Sequence, residues 1–345
     1  MLFQSFESKY IGKLKNRVVM SAMTRNFADN NHCATNAMKD YYVRRAKDGV
    51  ALLLTEGLVI HPSADGYKNV PHLSNIEQSV SWKKVTEAIH NTDSKIFAQL
   101  WHCGRISHED FTGGLRPVSA SSVRAEGINR QNNKLYAVPR ALETSEINEI
   151  YKYYLNSAHL AFAAGFDGVQ LHLGHGYLAD SFFDSQINLR EDQYGGNIPN
   201  RCRFAVELVE KFISIFGEKK VIVRISPSRE VNGIIFSWPN LDQMISHLIS
   251  EFDRIGLRMI DVSSARANYY ETSGLIIKKI RPIWPHFIIG GSSLSENQAI
   301  NELAEGYVDM VTWGRAILAN PDFITRLKKK QDLLPMHPDM LNNLL

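Results

Sequence analysis

The sequence has few of the features that mark secreted, membrane or nucleic-acid-binding proteins. Its three cysteines, Cys33, Cys103 and Cys202, are far apart and odd in number, which argues against a disulfide framework and fits a reducing cytoplasm. The net charge of +3 over 345 residues is too small to indicate a nucleic-acid partner. No apolar run is long enough to span a bilayer, and the first residues lack the pattern of a signal peptide. We therefore expect a globular protein of the cytoplasm, with no membrane or nucleic-acid partner.

Short apolar runs alternate with longer amphipathic stretches along the whole chain. The predicted strands cover residues 17–20, 51–54, 96–100, 168–171, 221–225, 259–262, 287–289 and 309–312. Such alternation predicts a parallel sheet with helices outside it. Eight strands in a chain of this size favour an α/β fold of the (β/α)₈ TIM-barrel type. The first strand is not followed by Gly-x-Gly-x-x-Gly, which weakens the alternative of a dinucleotide-binding, doubly wound sheet.

Two connections, at residues 101–143 and 177–200, are much longer than the others. Long ordered connections in compact domains tend to be lids or binding loops. The sequence therefore predicts one domain over residues 1–345, with a lid-like insertion at about 101–143 after the third strand.

Three polar side chains, His172, His175 and Tyr177, follow the fourth predicted strand. Two imidazoles three residues apart can direct N–H donors at one carbonyl oxygen and stabilise negative charge on it. A tyrosine, with a pKa of about 10, stays protonated at neutral pH and can donate a proton nearby. Two other interpretations remain open, which are packing at the end of a strand and half of a metal site. The metal interpretation lacks neighbouring cysteines or acidic residues, and we predict no metal.

The ends of the last two strands are rich in glycine. One reads Gly290-Gly291-Ser292-Ser293 and the other Gly314-Arg315. In (β/α)₈ barrels these two loops commonly bind phosphate. Glycines expose backbone N–H groups, a following helix N-terminus favours an anion, and arginine can hold phosphate through two hydrogen bonds. The pair predicts a cofactor with a phosphate group.

Arg224 interrupts an apolar strand, Val221–Ile225, and should therefore be buried. A buried arginine needs an anionic or strongly polar partner. Arg224 could join Thr24 and Gln99 around a flat heterocycle attached to the phosphate, or it could form an ion pair across the barrel. The sequence leaves both interpretations open.

The motifs, taken together and in order, resemble the old yellow enzyme family of FMN-dependent ene-reductases over nearly the full length. They are Leu14-Lys15-Asn16-Arg17, Met23-Thr24-Arg25, Thr55-Glu56-Gly57, Gln99-Leu100-Trp101-His102, Pro117-Val118-Ser119-Ala120-Ser121, His172-x-x-His175-Gly176-Tyr177, Asn188-x-Arg190-x-Asp192-x-Tyr194-Gly195-Gly196, Asn200-Arg201 and Gly314-Arg315-x-x-x-x-Asn320-Pro321-Asp322. The two-histidine motif and residues 100–108 are most similar to the branch of pentaerythritol tetranitrate reductase and morphinone reductase.

The resemblance implies a cofactor, a substrate class and residue roles. FMN would be bound through Thr24, Gly57, Gln99, Arg224, Gly291, Ser292, Gly314 and Arg315. His172 and His175 would hold the substrate oxygen, Tyr177 would donate a proton, and Tyr67 and Ile106 would line the substrate pocket. NADPH or NADH would reduce the flavin, whose N5 would pass a hydride to an activated alkene of an enone or nitro compound. The protein would be a monomer or a homodimer.

Two alternatives to this function remain. One is another FMN barrel oxidoreductase, such as a dienoyl-thioester reductase, although the chain has no cysteine-rich iron–sulfur motif. The other is a flavin-binding protein without turnover, against which the complete set of His172, His175 and Tyr177 argues.

The chain departs from the family pattern in three places. Ser21-Ala22 replaces an alanine–proline pair, which predicts a looser first loop. Asp180 follows the tyrosine at an unusual position and is expected to alter the neighbouring pocket or an interface. Few residues follow His337-Pro338, where the family has an aromatic, glycine-rich tail, so we expect one wall of the pocket to differ.

Overall fold

Eight parallel strands close into a barrel in the computed structural model, which describes residues 1–231, 233–265 and 267–345. The strands are β1 (Val18–Met20), β2 (Leu52–Val59), β3 (Lys95–Trp101), β4 (Gly168–His172), β5 (Val221–Ile225), β6 (Met259–Val262), β7 (Phe287–Gly291) and β8 (Met310–Trp313). Each strand pairs in parallel with the next along the chain, and β8 pairs with β1. The predicted (β/α)₈ architecture is confirmed.

Helices follow the strands and cover the outside of the barrel. They are α1 (Asn36–Asp48), α2 (Ile76–His90), α3 (Ile147–Ala163), α4 (Leu178–Phe183), α5 (Ile198–Phe216), α6 (Leu241–Arg254), α7 (Ser273–Ile280), α8 (Glu296–Ala304), α9 (Arg315–Ala319) and α10 (Phe323–Lys328). Their ends follow local rules, as α1 illustrates. The Thr35 side chain accepts a hydrogen bond from the Met38 N–H at its start, and Gly49 ends it with a φ of 117°, as capping chemistry predicts.

The barrel has two apolar layers, separated by the period-two alternation of its strands. Val19 and Ile222 belong to the cluster inside the barrel. Their neighbours Val18, Val221 and Val223 belong to the larger cluster between strands and helices. Near the ends of the strands, this alternation therefore determines which side chains face the barrel interior.

Several element boundaries differ from the prediction. Strand β2 continues to Val59, so Glu56 and Gly57 lie within the strand, and its register against β3 shifts between Leu54 and Gly57. Strand β4 includes His172. Helix α4 lies inside the long connection 177–200. Polar residues in apolar strands and short helices of five or six residues carry weak periodic signals.

Further short elements surround the barrel. One antiparallel pair precedes β1 and joins Phe6–Ser8 with Gly12–Leu14. A second follows β5 and joins Ser228–Val231 with Ile234–Ser237. The connection between β3 and α3 contains four two-residue strands, paired two by two. Every helix in the described part of the chain is too short or too polar to cross a bilayer. That residues 1–345 form one domain stays a prediction.

Candidate active site

Alternation along the strands brings a chain of polar side chains together inside the barrel. Gln99 Nε2 donates a hydrogen bond to Gln170 Oε1 at 2.7 Å, and Gln170 Nε2 donates to Asp261 Oδ2 at 2.9 Å. The Asp261 carboxylate lies 3.5 Å from the Arg224 guanidinium. The sequence analysis missed Gln170 and Asp261. The sequence did indicate that Asp261 faces the interior, because it lies two residues from Met259, an interior residue of the same strand.

Arg224 has polar partners at the ends of two other strands, β1 and β6. Its Nη1 donates to Ser21 Oγ at 3.2 Å and its Nη2 to Ser263 Oγ at 2.7 Å. Its Nε is buried and has no hydrogen-bond partner among the described residues. Arg224 also lines a cavity above the strands. Arg224 thus forms an ion pair, with a residue of the adjacent strand β6 and not across the barrel. Its guanidinium also lines the cavity, and its contact with a flat heterocycle stays a prediction.

This cavity collects most of the residues predicted to bind the cofactor. Six of the eight line it, namely Thr24, Arg224, Gly291, Ser292, Gly314 and Arg315. Gln99 is buried below, where its amide is bonded to Gln170. Gly57 instead packs against Trp101, since a Cβ at Gly57 would lie 2.3 Å from the Trp101 ring. The structure thus supplies a packing reason for Gly57.

The two glycine-rich loops are held against each other at one end of the cavity. The Ser292 N–H donates to the Thr312 carbonyl at 2.8 Å. Gly291 has a φ of 143°, and a Cβ there would lie 2.5 Å from the Thr312 oxygen, so a larger residue would separate the loops. Arg315 is exposed and begins α9 directly after Gly314. This end of the cavity combines a helix start, small residues and a cation, as an anion site requires.

His172, His175 and Tyr177 form a compact group beside the cavity. The two imidazole rings lie 5.0 Å apart and nearly perpendicular, and the Tyr177 ring lies 5.1 Å from that of His172. His175 has a φ of 60°. Its N–H donates to Ser226 Oγ, and its Nε2 lies 3.1 Å from Ser263 Oγ. The end of β4, which carries His172, and the tight turn after it therefore bring both rings together.

Both histidines are neutral at neutral pH. Burial lowers the pKa of His172 well below its ordinary value, and the positive charges of Arg224 and Arg229 lower it further. Burial also lowers the pKa of His175, together with His172 and the same arginines. A neutral imidazole keeps one N–H donor. His172 Nδ1 is buried without a hydrogen-bond partner among the described residues, so the pair retains capacity to bind a ligand.

Tyr177 shares a hydrogen bond with a second tyrosine. The Tyr177 and Tyr67 hydroxyl oxygens lie 2.9 Å apart. The Trp101 ring lies about 5 Å from both tyrosine rings, and Ile106 lies close to Gly176, the neighbour of Tyr177. Burial raises the pKa of both hydroxyl groups. Tyr177 is therefore a neutral donor at neutral pH, and the predicted pocket residues Tyr67 and Ile106 lie beside it.

A buried Asp65–His72 pair holds the loop that carries Tyr67. Asp65 Oδ1 accepts the Tyr67 N–H, and its Oδ2 lies 2.7 Å from His72 Nε2. His32 stacks on His72 at 3.7 Å with 17° between the rings. Nearly parallel rings at this separation cannot both direct in-plane lone pairs at one ion with metal–nitrogen bonds of about 2 Å. As arranged, the three residues support the loop and do not form a metal centre.

Glu56 is a further residue that the sequence analysis did not assign to the site. It is buried in β2, and its Oε2 accepts the N–H groups of Arg25 and Asn26, which follow Thr24. Burial raises its pKa from 4.5 to about 7, against the opposing effect of these hydrogen bonds. The sequence could have indicated a buried role for Glu56, because it is the single acidic residue in an apolar strand.

Glu56 should make the free energy of unfolding fall as pH rises. Because its folded pKa is raised, its stabilising contribution is complete below about pH 4.5 and is lost as pH rises through about 7. The slope from this one group is at most about 1.4 kcal/mol per pH unit. Glu56→Gln should flatten that slope while its amide oxygen still accepts both N–H groups. Urea denaturation across this pH range, with the exposed Glu305→Gln as control, measures the difference, and equal slopes in Glu56→Gln and the parent would refute it.

The three departures from the family pattern have structural consequences. The Ser21 hydroxyl accepts a hydrogen bond from Arg224, and its N–H donates to the Trp313 carbonyl. Two hydrogen bonds therefore hold the start of the first loop, and whether it is looser than in the family stays a prediction. Asp180 is buried and contacts Arg229 at 2.8 Å and Trp238 Nε1 at 2.8 Å.

Met336 and Leu341 form part of the cavity wall. Arg25 fixes this segment because its Nη2 donates to the carbonyl groups of Met340 and Asn343. The C-terminal residues therefore contribute apolar surface to the site.

A parallel eight-stranded barrel, two glycine-rich loops lining one cavity and a polar interior below it are the features expected of a flavin-dependent oxidoreductase barrel. The model of the NADH:flavin oxidoreductase / NADH oxidase family matches residues 1–333. The chain belongs to this family, and its FMN-dependent members of the old yellow enzyme type share its fold.

Relatives and solved structures agree with this assignment. The chain is 32% identical to a putative 12-oxophytodienoate reductase 11 of Oryza sativa subsp. japonica over 91% of this chain and 87% of the relative. It is also 32% identical to an NADP-dependent oxidoreductase of Aspergillus flavus, covering 98% and 92%. An old yellow enzyme homologue from Zymomonas mobilis superposes with a TM-score of 0.89, at 28% identity, covering 99% and 96%. Morphinone reductase in complex with tetrahydroNAD superposes with a TM-score of 0.88, at 31% identity, covering 99% and 93%.

The residues around the cavity fit FMN, the cofactor of this family. The two glycine-rich loops lie at one end of the cavity. The buried Nε of Arg224 has no hydrogen-bond partner among the described residues. Thr24 and Arg224 supply polar groups for a heterocycle. The cavity therefore matches a phosphorylated ligand with a flat polar ring.

Proposed function

We propose that the protein uses NADPH or NADH to reduce the activated C=C bond of α,β-unsaturated carbonyl or nitro compounds. The proposal rests on one observation. The neutral, perpendicular imidazoles of His172 and His175 lie with the Tyr177 hydroxyl beside a cavity that Arg224 lines. Relatives named as reductases of 12-oxophytodienoate and morphinone support a carbonyl-containing substrate.

The positions of the residues that line the cavity support the proposed cofactor roles. Bound FMN, reduced by the nicotinamide nucleotide, supplies the hydride. Gly291, Ser292, Gly314 and Arg315 would hold its phosphate, and Thr24, Gln99 and Arg224 its ring system. Gly57 would act indirectly, by leaving room for Trp101 below the substrate pocket.

The substrate roles belong to His172, His175 and Tyr177 at the end of β4 and in the turn that follows it. His172 and His175 donate N–H hydrogen bonds to the carbonyl or nitro oxygen, on which negative charge grows during hydride transfer. Neutral donors suit this task, because they hold the oxygen without giving up a proton to it. Tyr177 then gives its proton to the α-carbon, while Tyr67 and Ile106 line the pocket around the alkene.

The proposal extends to the surroundings of the protein. Its partners are small molecules, with no nucleic acid or membrane among them. We place the protein in the cytoplasm, as a monomer or a homodimer.

A turnover experiment tests this function. The purified protein is incubated anaerobically with excess NADPH and either 2-cyclohexenone or 1-nitrocyclohexene, and products are identified by gas chromatography with mass spectrometry. We expect many equivalents of saturated product per flavin, and far fewer from a His172→Ala/His175→Ala variant that still binds FMN. Oxidation of NADPH without consumption of either alkene would contradict the proposal and favour another FMN barrel oxidoreductase, such as a dienoyl-thioester reductase. No flavin turnover at all would favour a binding protein.

A further inference from the structure

We propose that Asp261 is a tuning residue that lowers the reduction potential of the bound flavin by holding negative charge behind Arg224. Asp261 does not line the cavity, whereas Arg224 does. The carboxylate is fully buried in β6 and contacts the guanidinium at 3.5 Å. The proposal concerns the cofactor alone and does not depend on which substrate the enzyme reduces.

The position of Asp261 places its charge where it acts through Arg224. Its Oδ2 accepts a hydrogen bond from Gln170, and its Oδ1 is buried with no partner among the described residues. One amide donor does not neutralise a carboxylate, so its charge is balanced by Arg224. A charge in a buried site acts more strongly than in water because the local dielectric constant is low. Asp261 therefore offsets part of the positive potential that Arg224 projects into the cavity.

Other charges near this pair do not duplicate the effect. His172 and His175 are neutral, because burial and the nearby arginines lower the pKa of each. Arg229 is paired with Asp180 at 2.8 Å. Among the described residues, Asp261 is the carboxylate that forms an ion pair with Arg224.

Reduction adds negative charge to a flavin, so a neighbouring positive potential favours the reduced form. Arg224 raises the reduction potential on this basis, and Asp261 lowers it. Burial raises the pKa of Asp261, whereas the positive charge of Arg224 opposes that rise. The ion pair with Arg224 therefore helps to keep the carboxylate charged. Removing this charge should make the flavin easier to reduce.

Arg224 should keep its place when Asp261 is changed, because Ser21 and Ser263 also accept hydrogen bonds from its guanidinium. Asp261→Asn keeps the shape of the side chain and an oxygen that can accept from Gln170. It therefore removes charge with little change in packing. Gln170→Met is the matched control, since it breaks the same network without changing any charge.

The test measures the flavin reduction potential by anaerobic equilibration with a reference dye of known potential, in the absence of substrate. For Asp261→Asn we expect the equilibrium constant for reduction to rise at least tenfold, about 30 mV for a two-electron couple, with a much smaller change in Gln170→Met. An unchanged potential in Asp261→Asn with FMN bound would overturn the proposal. Equal shifts in both variants, or loss of FMN from Asp261→Asn, would assign Asp261 a structural role and would overturn it as well. Because no alkene is present, none of these outcomes depends on the proposed function.

Discussion

Tyr177→Phe should keep near-normal flavin reduction by NADPH but slow flavin reoxidation by 2-cyclohexenone by about 10²–10⁴-fold. The first step needs no proton donor at the alkene, whereas the second must deliver a proton to the α-carbon. The substitution removes only the hydroxyl and keeps the ring that packs against Trp101 and His172. Stopped-flow absorbance measures each half-reaction separately.

Two controls make this prediction specific to the proton. A nitroalkene should be affected less, because its product anion is stable without immediate protonation. Tyr67→Phe removes the hydroxyl 2.9 Å away but leaves that of Tyr177, so it should slow enone reoxidation less. If Tyr177→Phe and the parent reoxidise with the enone at equal rates, Tyr177 is not the acid.

Arg315→Ala should weaken FMN binding by roughly 10–100-fold, because a hydrogen bond to a charged group contributes about 1.5–3 kcal/mol. Arg315 begins α9 next to Gly314, where the two glycine-rich loops meet. The dissociation constant is measured by titrating the cofactor-free protein with FMN and following the quenching of flavin fluorescence.

Arg326→Ala provides the matched control for Arg315→Ala. Arg326 lies on the next helix, α10, and contacts Asp322 at 2.8 Å, so its loss removes the same charge away from the cavity. We expect Arg326→Ala to leave the dissociation constant of FMN unchanged. Equal affinities in Arg315→Ala and the parent would show that Arg315 does not bind the phosphate.

The barrel and much of the site were predictable because their signals are local. Apolar runs such as Val221–Ile225 are short and regularly spaced, and parallel strands place their carboxyl ends at one edge. Residues at those ends, including Gly291, Gly314 and Thr24, therefore meet in one cavity. The individual roles of these residues stay predictions until the variants are measured.

What the sequence did not reveal depends on contacts between distant residues. The Tyr67–Tyr177 hydrogen bond joins residues 110 positions apart, and no local pattern marks it. The Asp65–His72 hydrogen bond lies within one loop after β2, and it depends on the path of that loop, which has no periodic pattern. Asp261 is different. It lies two residues from Met259 on the same strand, so its inward direction was predictable, and only its partner, Arg224, required the structure.

The most direct test of the account is the visible spectrum of the purified protein during anaerobic titration, first with NADPH and then with 2-cyclohexenone. The account predicts a yellow protein that releases FMN on denaturation, loses its flavin absorbance with NADPH and regains it with one equivalent of the enone. A colourless protein that cannot be reconstituted with FMN would contradict the cofactor assignment. A flavin band that NADPH bleaches and the enone does not restore would contradict the proposed ene-reductase activity.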